Sequence, residues 1–252
     1  MLIDIILTII IVMMGASIGS FLNVCIDRLP AGGSLLRPAS HCDGCQRHLS
    51  VLELVPILSY LWLHGKCRHC QIKVPWRVFW VELGTGMLLA FLYHYYGWGI
   101  RFGLTSFYCC VFIVIMVIDL EHRLILNKIV YPVAIIAIIV NLFLEQPDIL
   151  YALIGGVIGF ALLALPALVY RGGMGWGDVK MAALMGLIFG FPQIFVAILM
   201  AIIMGGLISI ILLLSRIKKR NEAIPFGPFL SIASILTLLW GNGIFTWYMN
   251  VF

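Results

Sequence analysis

Two aspartates, Asp119 and Asp178, lie where apolar segments of the sequence meet polar ones. Asp119 ends the apolar run Val111–Ile118, and Asp178 follows a glycine-rich stretch directly before the next apolar run. Charges at the edge of a membrane segment are costly, so they indicate function more strongly than acids in loops do. Two carboxylates at one depth can share a proton, so that one acts as a base towards water and the other as an acid towards a peptide carbonyl. The pair therefore predicts an aspartyl protease dyad.

The residues that precede Asp178 are rich in glycine. The segment reads Gly172-Gly173-Met174-Gly175-Trp176-Gly177-Asp178-Val179-Lys180. Glycines permit unusual backbone angles and let a substrate strand approach closely. Gly175, Gly177 and Lys180 are therefore predicted to form a substrate loop beside the dyad.

The two aspartates are also compatible with roles outside proteolysis. Asp119 could pair with Arg123 and Asp178 with Lys180, as ordinary ion pairs at the membrane interface. A transporter or channel could use both acids as cation or proton sites, although no internal repeat is evident and the acids lie at one face rather than mid-membrane. The sequence contains neither the His-Glu-x-x-His motif of zinc-dependent proteases nor the Gly-x-Ser-Gly motif of serine proteases.

Four cysteines form two Cys-x-x-Cys pairs that are separated by 21 residues, Cys42 with Cys45 and Cys67 with Cys70. Two residues between cysteines let a tight turn aim both thiolates at one ion, and two such turns complete a closed tetrahedral site for structural Zn²⁺. Unmetallated or redox-active thiols are the alternative. Cytoplasmic cysteines seldom form lasting disulfides, so a metal site is the favoured prediction.

The composition places most of the chain in a lipid bilayer. Of 252 residues, 63% are hydrophobic and 11% are charged, with a mean hydropathy of +1.10. A soluble domain carries about 25% charged residues. Apolar runs long enough to span a membrane, together with one shorter run at 179–191, predict an all-α integral membrane protein with about eight transmembrane helices. They lie at 2–25, 78–96, 102–119, 129–144, 150–170, 179–191, 194–214 and 226–248.

The positive charges predict the orientation of these helices. Fifteen of the sixteen Lys and Arg residues lie on one set of alternate loops or at the helix ends beside them, and these loops are therefore expected in the cytoplasm with both termini outside. The net charge of +5 is attributed to this topology and not to a nucleic-acid partner. The fifteen are Arg28, Arg37, Arg47, Lys66, Arg68, Lys73, Arg77, Arg123, Lys128, Arg171, Lys180, Arg216, Lys218, Lys219 and Arg220.

Seven motifs in order resemble the bacterial type IV prepilin peptidases, which are leader peptidases and N-methyltransferases. Besides the two cysteine pairs, they are Gly15-Ala-Ser-Ile-Gly19-Ser20-Phe21-Leu22-Asn23-Val24 with Arg28-Leu29-Pro30, Glu53-Leu-Val-Pro56-Ile-Leu-Ser59-Tyr60-Leu, Gly65-Lys66-Cys67-Arg68, Val81-Glu82-Leu83, Ile118-Asp119-Leu120 and Gly175-Trp176-Gly177-Asp178-Val179-Lys180. The chain departs from the family pattern at Glu121, where a second aspartate is usual, and at Leu126, where a proline is usual before Asn127.

The resemblance implies a bifunctional enzyme. Asp119 and Asp178 match the family's catalytic aspartates, and Gly65 and Lys66 match a Gly-Lys linked with methyl transfer. The enzyme would remove a short basic leader from type IV prepilins or pseudopilins after a glycine at the cytoplasmic face. It would then methylate the new N-terminal amine with S-adenosylmethionine. A peptidase that does not methylate is the narrower alternative.

The resemblance also implies a division of the chain. Residues 1–25 are expected to form the first transmembrane helix, 26–77 a cytoplasmic zinc-binding loop associated with methyl transfer, and 78–252 a transmembrane aspartyl peptidase core. Glu82 is predicted either to neutralise Arg77 or a residue of the cysteine loop, or to take part in methyl transfer. The expected setting is the bacterial inner membrane, with membrane lipid as a partner and an undetermined oligomeric state.

Overall fold

The computed structural model describes residues 2–144, 147–169, 175–215 and 224–251, and the regular secondary structure within these ranges is helical apart from two isolated β-bridges. Arg171 and the basic group at 216–220, on which the predicted topology partly rests, lie outside the described residues. The helices are α1 (Leu2–Arg28), a 3₁₀ helix (Val51–Leu54), α2 (Leu58–Trp62), α3 (Trp76–Tyr96), α4 (Ile100–His122), α5 (Asn127–Leu144), α6 (Ile149–Val169), α7 (Trp176–Phe189), α8 (Gln193–Leu214) and α9 (Gly227–Val251).

Each of the eight predicted apolar segments coincides with one helix. Within the described ranges, six helices are long and apolar enough to cross a membrane: α1, α4, α5, α6, α8 and α9. The polar residues Arg77, Glu82 and His94 lower the hydropathy of α3, and α7 has only 14 residues. The prediction of an all-α integral membrane protein with a cysteine-rich segment after the first helix is confirmed.

The chain divides into two compact units, Met1–Cys110 and Val111–Phe252, with the boundary inside α4. In the first unit, α1 and α3 run antiparallel in close contact. A Cβ atom built on Gly15 would lie 2.8 Å from Cα of Gly86, and one built on Gly19 would lie 2.7 Å from Cα of Glu82. Small residues four apart let membrane helices approach this closely. The loop that carries the cysteines therefore begins and ends at the same end of the helix pair.

In the second unit, α7 packs against α5, α6, α8 and α9. From Val179 onward its side chains are buried or half-buried, and Val179, Met181, Ala182 and Met185 are fully buried. A helix that is apolar all round belongs in the interior of a larger assembly of helices. The shortness of α7 is therefore explained by its position, since protein and not lipid covers it.

The crossing of α6 and α7 depends on glycine. A Cβ atom built on Gly186 would overlap the carbonyl group of Gly155, and one built on Gly159 would overlap the carbonyl oxygen of Ala182. Gly186→Ala is expected to separate the two helices and to destabilise the second unit by about 1–3 kcal/mol. The effect is measured by thermal unfolding in detergent, in which the fraction of folded protein is read from the monodisperse peak in size-exclusion chromatography.

Gly206 on α8 provides the control, because a Cβ atom there meets nothing within 4 Å. Gly206→Ala should unfold at the same temperature as the native chain. Equal stability of the Gly186→Ala variant would contradict the close crossing of α6 and α7.

Candidate active site and metal centre

Asp119 lies in the last turn of α4 and is 5% exposed. The backbone N–H of Gly227, the first residue of α9, donates to its Oδ2 atom over 3.0 Å. Arg123 attracts the same carboxylate electrostatically, and its N–H donates to the carbonyl oxygen of Asp119 over 2.9 Å. The side chain is therefore buried and oriented by a backbone donor from a distant part of the sequence.

Asp178 lies in the first turn of α7. Gly175 precedes the helix in extended conformation, and its N–H donates to the Asp178 carboxylate. The N–H of Asp178 in turn donates to the carbonyl oxygen of Gly175 over 3.1 Å. A carboxylate in this position accepts a hydrogen bond from the helix entrance and is favoured by the helix dipole. The burial of the surrounding α7 side chains fixes the direction of this turn.

The two carboxylates lie near each other. Asp119 and Asp178 are close enough for the charge of the first to repel that of the second. Neighbouring carboxylates reduce such repulsion by holding one proton between them. The end of α4 and the beginning of α7 thus bring together the two acids that the sequence singles out.

The predicted substrate loop lies beside Asp178, and its members have different contacts. Gly175 and Trp176 are exposed, whereas Gly177 packs so closely on Ile125 that a Cβ atom would lie 2.9 Å from the Cβ atom of Ile125. Lys180 donates to Oδ1 of Asn127 over 3.0 Å and lies 5.7 Å from the ring centre of Tyr131. The ammonium group of Lys180 is thus engaged by α5, which weakens the alternative that it pairs with Asp178.

Sequence reasoning missed the segment that contacts Asp119. The residues Pro225-Phe226-Gly227-Pro228 stand immediately before the apolar run of α9. Prolines and a glycine at this place indicate a turn and a helix start. Nothing in that pattern shows that the turn meets an aspartate 108 positions earlier.

The four cysteines form one cluster in the first unit. The Sγ atoms of Cys42, Cys45, Cys67 and Cys70 all lie within 4.8 Å of one another, and those of Cys42 and Cys70 are 3.6 Å apart. A tetrahedral zinc site with bonds of about 2.3 Å separates its sulfur atoms by about 3.8 Å. The arrangement therefore fits a zinc ion held by four thiolates.

The two cysteine pairs adopt the same local conformation. The Cys42 N–H donates to the Arg47 carbonyl, and the Cys67 N–H donates to the Ile72 carbonyl. Gln46 and Gln71, which follow the second cysteine of each pair, both have a positive φ, of 55° and 58°. Each pair thus forms a tight turn that directs two sulfur atoms to one side.

Two backbone donors favour the thiolate form of Cys67. Backbone N–H groups of Cys70 and His69 donate to its sulfur atom and lower the pKa of the thiol to about 7. A thiolate is the form that binds a metal. Cys67 is also 6% exposed, which makes it the most enclosed of the four.

The three residues predicted for methyl transfer contact or follow the two ends of α2. Glu82 accepts the Ile57 N–H at its Oε2 atom over 2.7 Å, directly before α2 begins, and also a hydrogen bond from Ser20. Gly65 follows the end of α2 with φ of 65°, and a Cβ atom there would lie 2.8 Å from the Tyr60 ring. The adjacent Lys66 is exposed.

The Glu82 carboxylate is bonded to the cysteine loop. It accepts the N–H of Ile57, a residue of that loop, and the nearby Arg77 pairs with Asp27 over 2.5 Å. Ile57 has a φ of 64°, which is strained for a β-branched residue. The carboxylate therefore holds the loop in a conformation that it would otherwise avoid.

Two family models match the chain. The bacterial Peptidase A24 N-terminal domain matches residues 13–96, and the type IV leader peptidase family matches residues 106–210. No solved structure matches the chain.

Curated relatives match along most of their length. A prepilin leader peptidase/N-methyltransferase of Aeromonas hydrophila is 32% identical, over 93% of this chain and 91% of the relative. A protein of the same name from Bacillus subtilis is 32% identical, over 94% of this chain and 96% of the relative. One from Pseudomonas aeruginosa is 29% identical, over 95% of this chain and 92% of the relative.

Proposed function

The chain belongs to the type IV leader peptidase family, and from this premise we propose that it cleaves the short basic leader of type IV prepilins or pseudopilins after a glycine and then N-methylates the new N-terminal residue. The observation that supports the peptidase proposal is the proximity of Asp119, in the last turn of α4, to Asp178, in the first turn of α7. Membership of a peptidase family removes the reason to treat these acids as ion sites of a transporter or channel.

The dyad would hydrolyse the peptide bond with one shared proton. The ionised carboxylate takes a proton from water as the water oxygen attacks the carbonyl carbon, and the protonated carboxyl gives its proton to the carbonyl oxygen. When the C–N bond breaks, the first carboxyl gives its proton to the leaving amine. The second carboxylate takes one back from the hydroxyl group, which restores the starting state.

The substrate fits the position of the dyad. A prepilin carries its leader directly before an apolar helix, so its cleavage point lies near the membrane surface when that helix is in the bilayer. The chain is a multi-pass protein, and we place it in the bacterial inner membrane with the dyad at the cytoplasmic face and both termini outside. The distribution of Lys and Arg supports this orientation.

Methyl transfer is assigned to the loop at 26–77, and peptide cleavage to the core at 78–252. The four cysteines would hold a structural Zn²⁺ that fixes the loop, since four thiolates leave no open coordination position for catalysis. S-adenosylmethionine supplies the methyl group when it is bound. Gly65, Lys66 and Glu82 bracket α2, so their proposed role is to keep this segment in the conformation that methyl transfer requires.

A prepilin peptide that contains the leader, the glycine and the first apolar residues tests both activities in one assay. The purified protein in detergent should release the leader without any cofactor, and with S-adenosylmethionine the mature fragment should gain the mass of one methyl group. Release without methylation would show a peptidase that does not methylate, and the absence of release would contradict the proposed function. A peptide with alanine for the glycine provides the control and should remain intact.

A further inference from the structure

The turn before α9 reaches directly into the site. The Gly227 N–H donates to Oδ2 of Asp119 over 3.0 Å, and the hydrogen bond is buried. A Cβ atom on Gly227 would lie 2.6 Å from Oδ2 and 2.9 Å from Cγ of Asp119. Position 227 therefore supplies a donor to the carboxylate and has no room for a side chain.

The surrounding contacts hold this turn in place. The carbonyl oxygen of Phe226 accepts the N–H groups of Phe229 and Leu230 over 3.1 and 3.2 Å. Leu230 and Ser231 are fully buried, and the ring centres of Phe226 and Phe229 are 6.4 Å apart. Because the first turn of α9 is fixed by packing, the Gly227 N–H has a fixed direction.

We propose that Gly227 is a positioning residue of the peptidase, which fixes the orientation of the Asp119 carboxylate. The proposal rests on the proposed function of the dyad. The charged groups that act on Asp119 are Arg123, which attracts it, and Asp178, which repels it. A carboxylate that is held by a backbone donor and flanked by these two charges keeps one orientation, which proton transfer to or from water requires.

Gly227→Ala tests the positioning role in the full-length enzyme. The methyl group displaces the carboxylate, and we expect kcat for leader release to fall about a hundredfold, because small misplacements of catalytic groups have effects of this size. The KM should change little, since Gly227 is buried and its contact is with the Asp119 carboxylate.

Gly243 provides a matched control on the same helix. A Cβ atom at that position meets nothing within 4 Å, so Gly243→Ala should retain the native kcat and KM. Equal kcat values for the two variants would overturn the proposal, as would a Gly227→Ala variant whose loss of activity lies entirely in a higher KM.

Amide hydrogen exchange provides a readout that does not depend on activity. Pro225 and Pro228 carry no N–H, so the exchange of Gly227 can be resolved in a short peptide that spans them. Asp119→Ala should increase exchange at Gly227, whereas Asp148→Ala should not. Unchanged protection in Asp119→Ala would overturn the hydrogen bond. Retained cleavage in an asparagine variant of the dyad would instead contradict the proposed function.

Discussion

Asp178→Asn should reduce leader cleavage by about 10²–10⁴-fold, the range that acid–base catalysis by one positioned group contributes. The amide has the shape of the carboxyl group but neither gives nor accepts a proton at neutral pH. Asp119→Asn should have an effect of the same order, because the two groups act on the same proton. The measurement is the rate of leader release at saturating peptide.

Asp148 offers a matched control for the loss of one carboxylate. It lies before α6, where its Oδ1 atom accepts the Leu150 N–H over 2.9 Å. Asparagine serves this capping position about equally well. Asp148→Asn should therefore cleave at the native rate. If Asp119→Asn or Asp178→Asn is folded and also cleaves at that rate, the dyad assignment is wrong.

Cys67→Ser should remove zinc from the protein and disorder the cysteine loop. A serine oxygen is a poor substitute for the thiolate, and in small zinc modules the free energy of metal binding is also the free energy of folding. We expect the zinc content to fall towards zero and methylation of a pre-cleaved peptide to fall at least about tenfold. Metal analysis of protein purified without chelator and mass spectrometry of the peptide measure these changes.

Cys110→Ser controls for the loss of a thiol outside the cluster. Cys110 lies on α4 and is not a member of the four-cysteine cluster. This variant should retain its zinc. Native protein that contains no zinc would contradict the metal assignment, and Cys67→Ser that loses zinc but methylates normally would separate the metal from methyl transfer.

The sequence predicted those features that depend on short segments. Helix positions follow from apolar runs, so the helices at all eight apolar segments were located, including the short α7. The cysteine cluster also follows from local spacing, because each pair needs only one tight turn. The joining of the two pairs across 21 residues was predicted from the number of thiolates that zinc requires.

The features that sequence reasoning missed depend on contacts between distant segments. Asp119 and Asp178 were predicted at one membrane face, but their separation depends on how α7 packs among its neighbours. The donor at Gly227 is a backbone group, which no residue type reveals. The hydrogen bond of Glu82 to the loop also involves a backbone group, the N–H of Ile57.

The length of α7 has a consequence for the supply of water. A helix of 14 residues rises about 21 Å, whereas the hydrocarbon core of a bilayer is about 30 Å thick. Surrounding helices cover α7, so the shortfall of about 9 Å does not expose its backbone to lipid. Asp178 stands in the first turn of this helix. We expect the shortfall to lie at this end, because hydrolysis consumes one water molecule for each leader released and that water must reach the dyad.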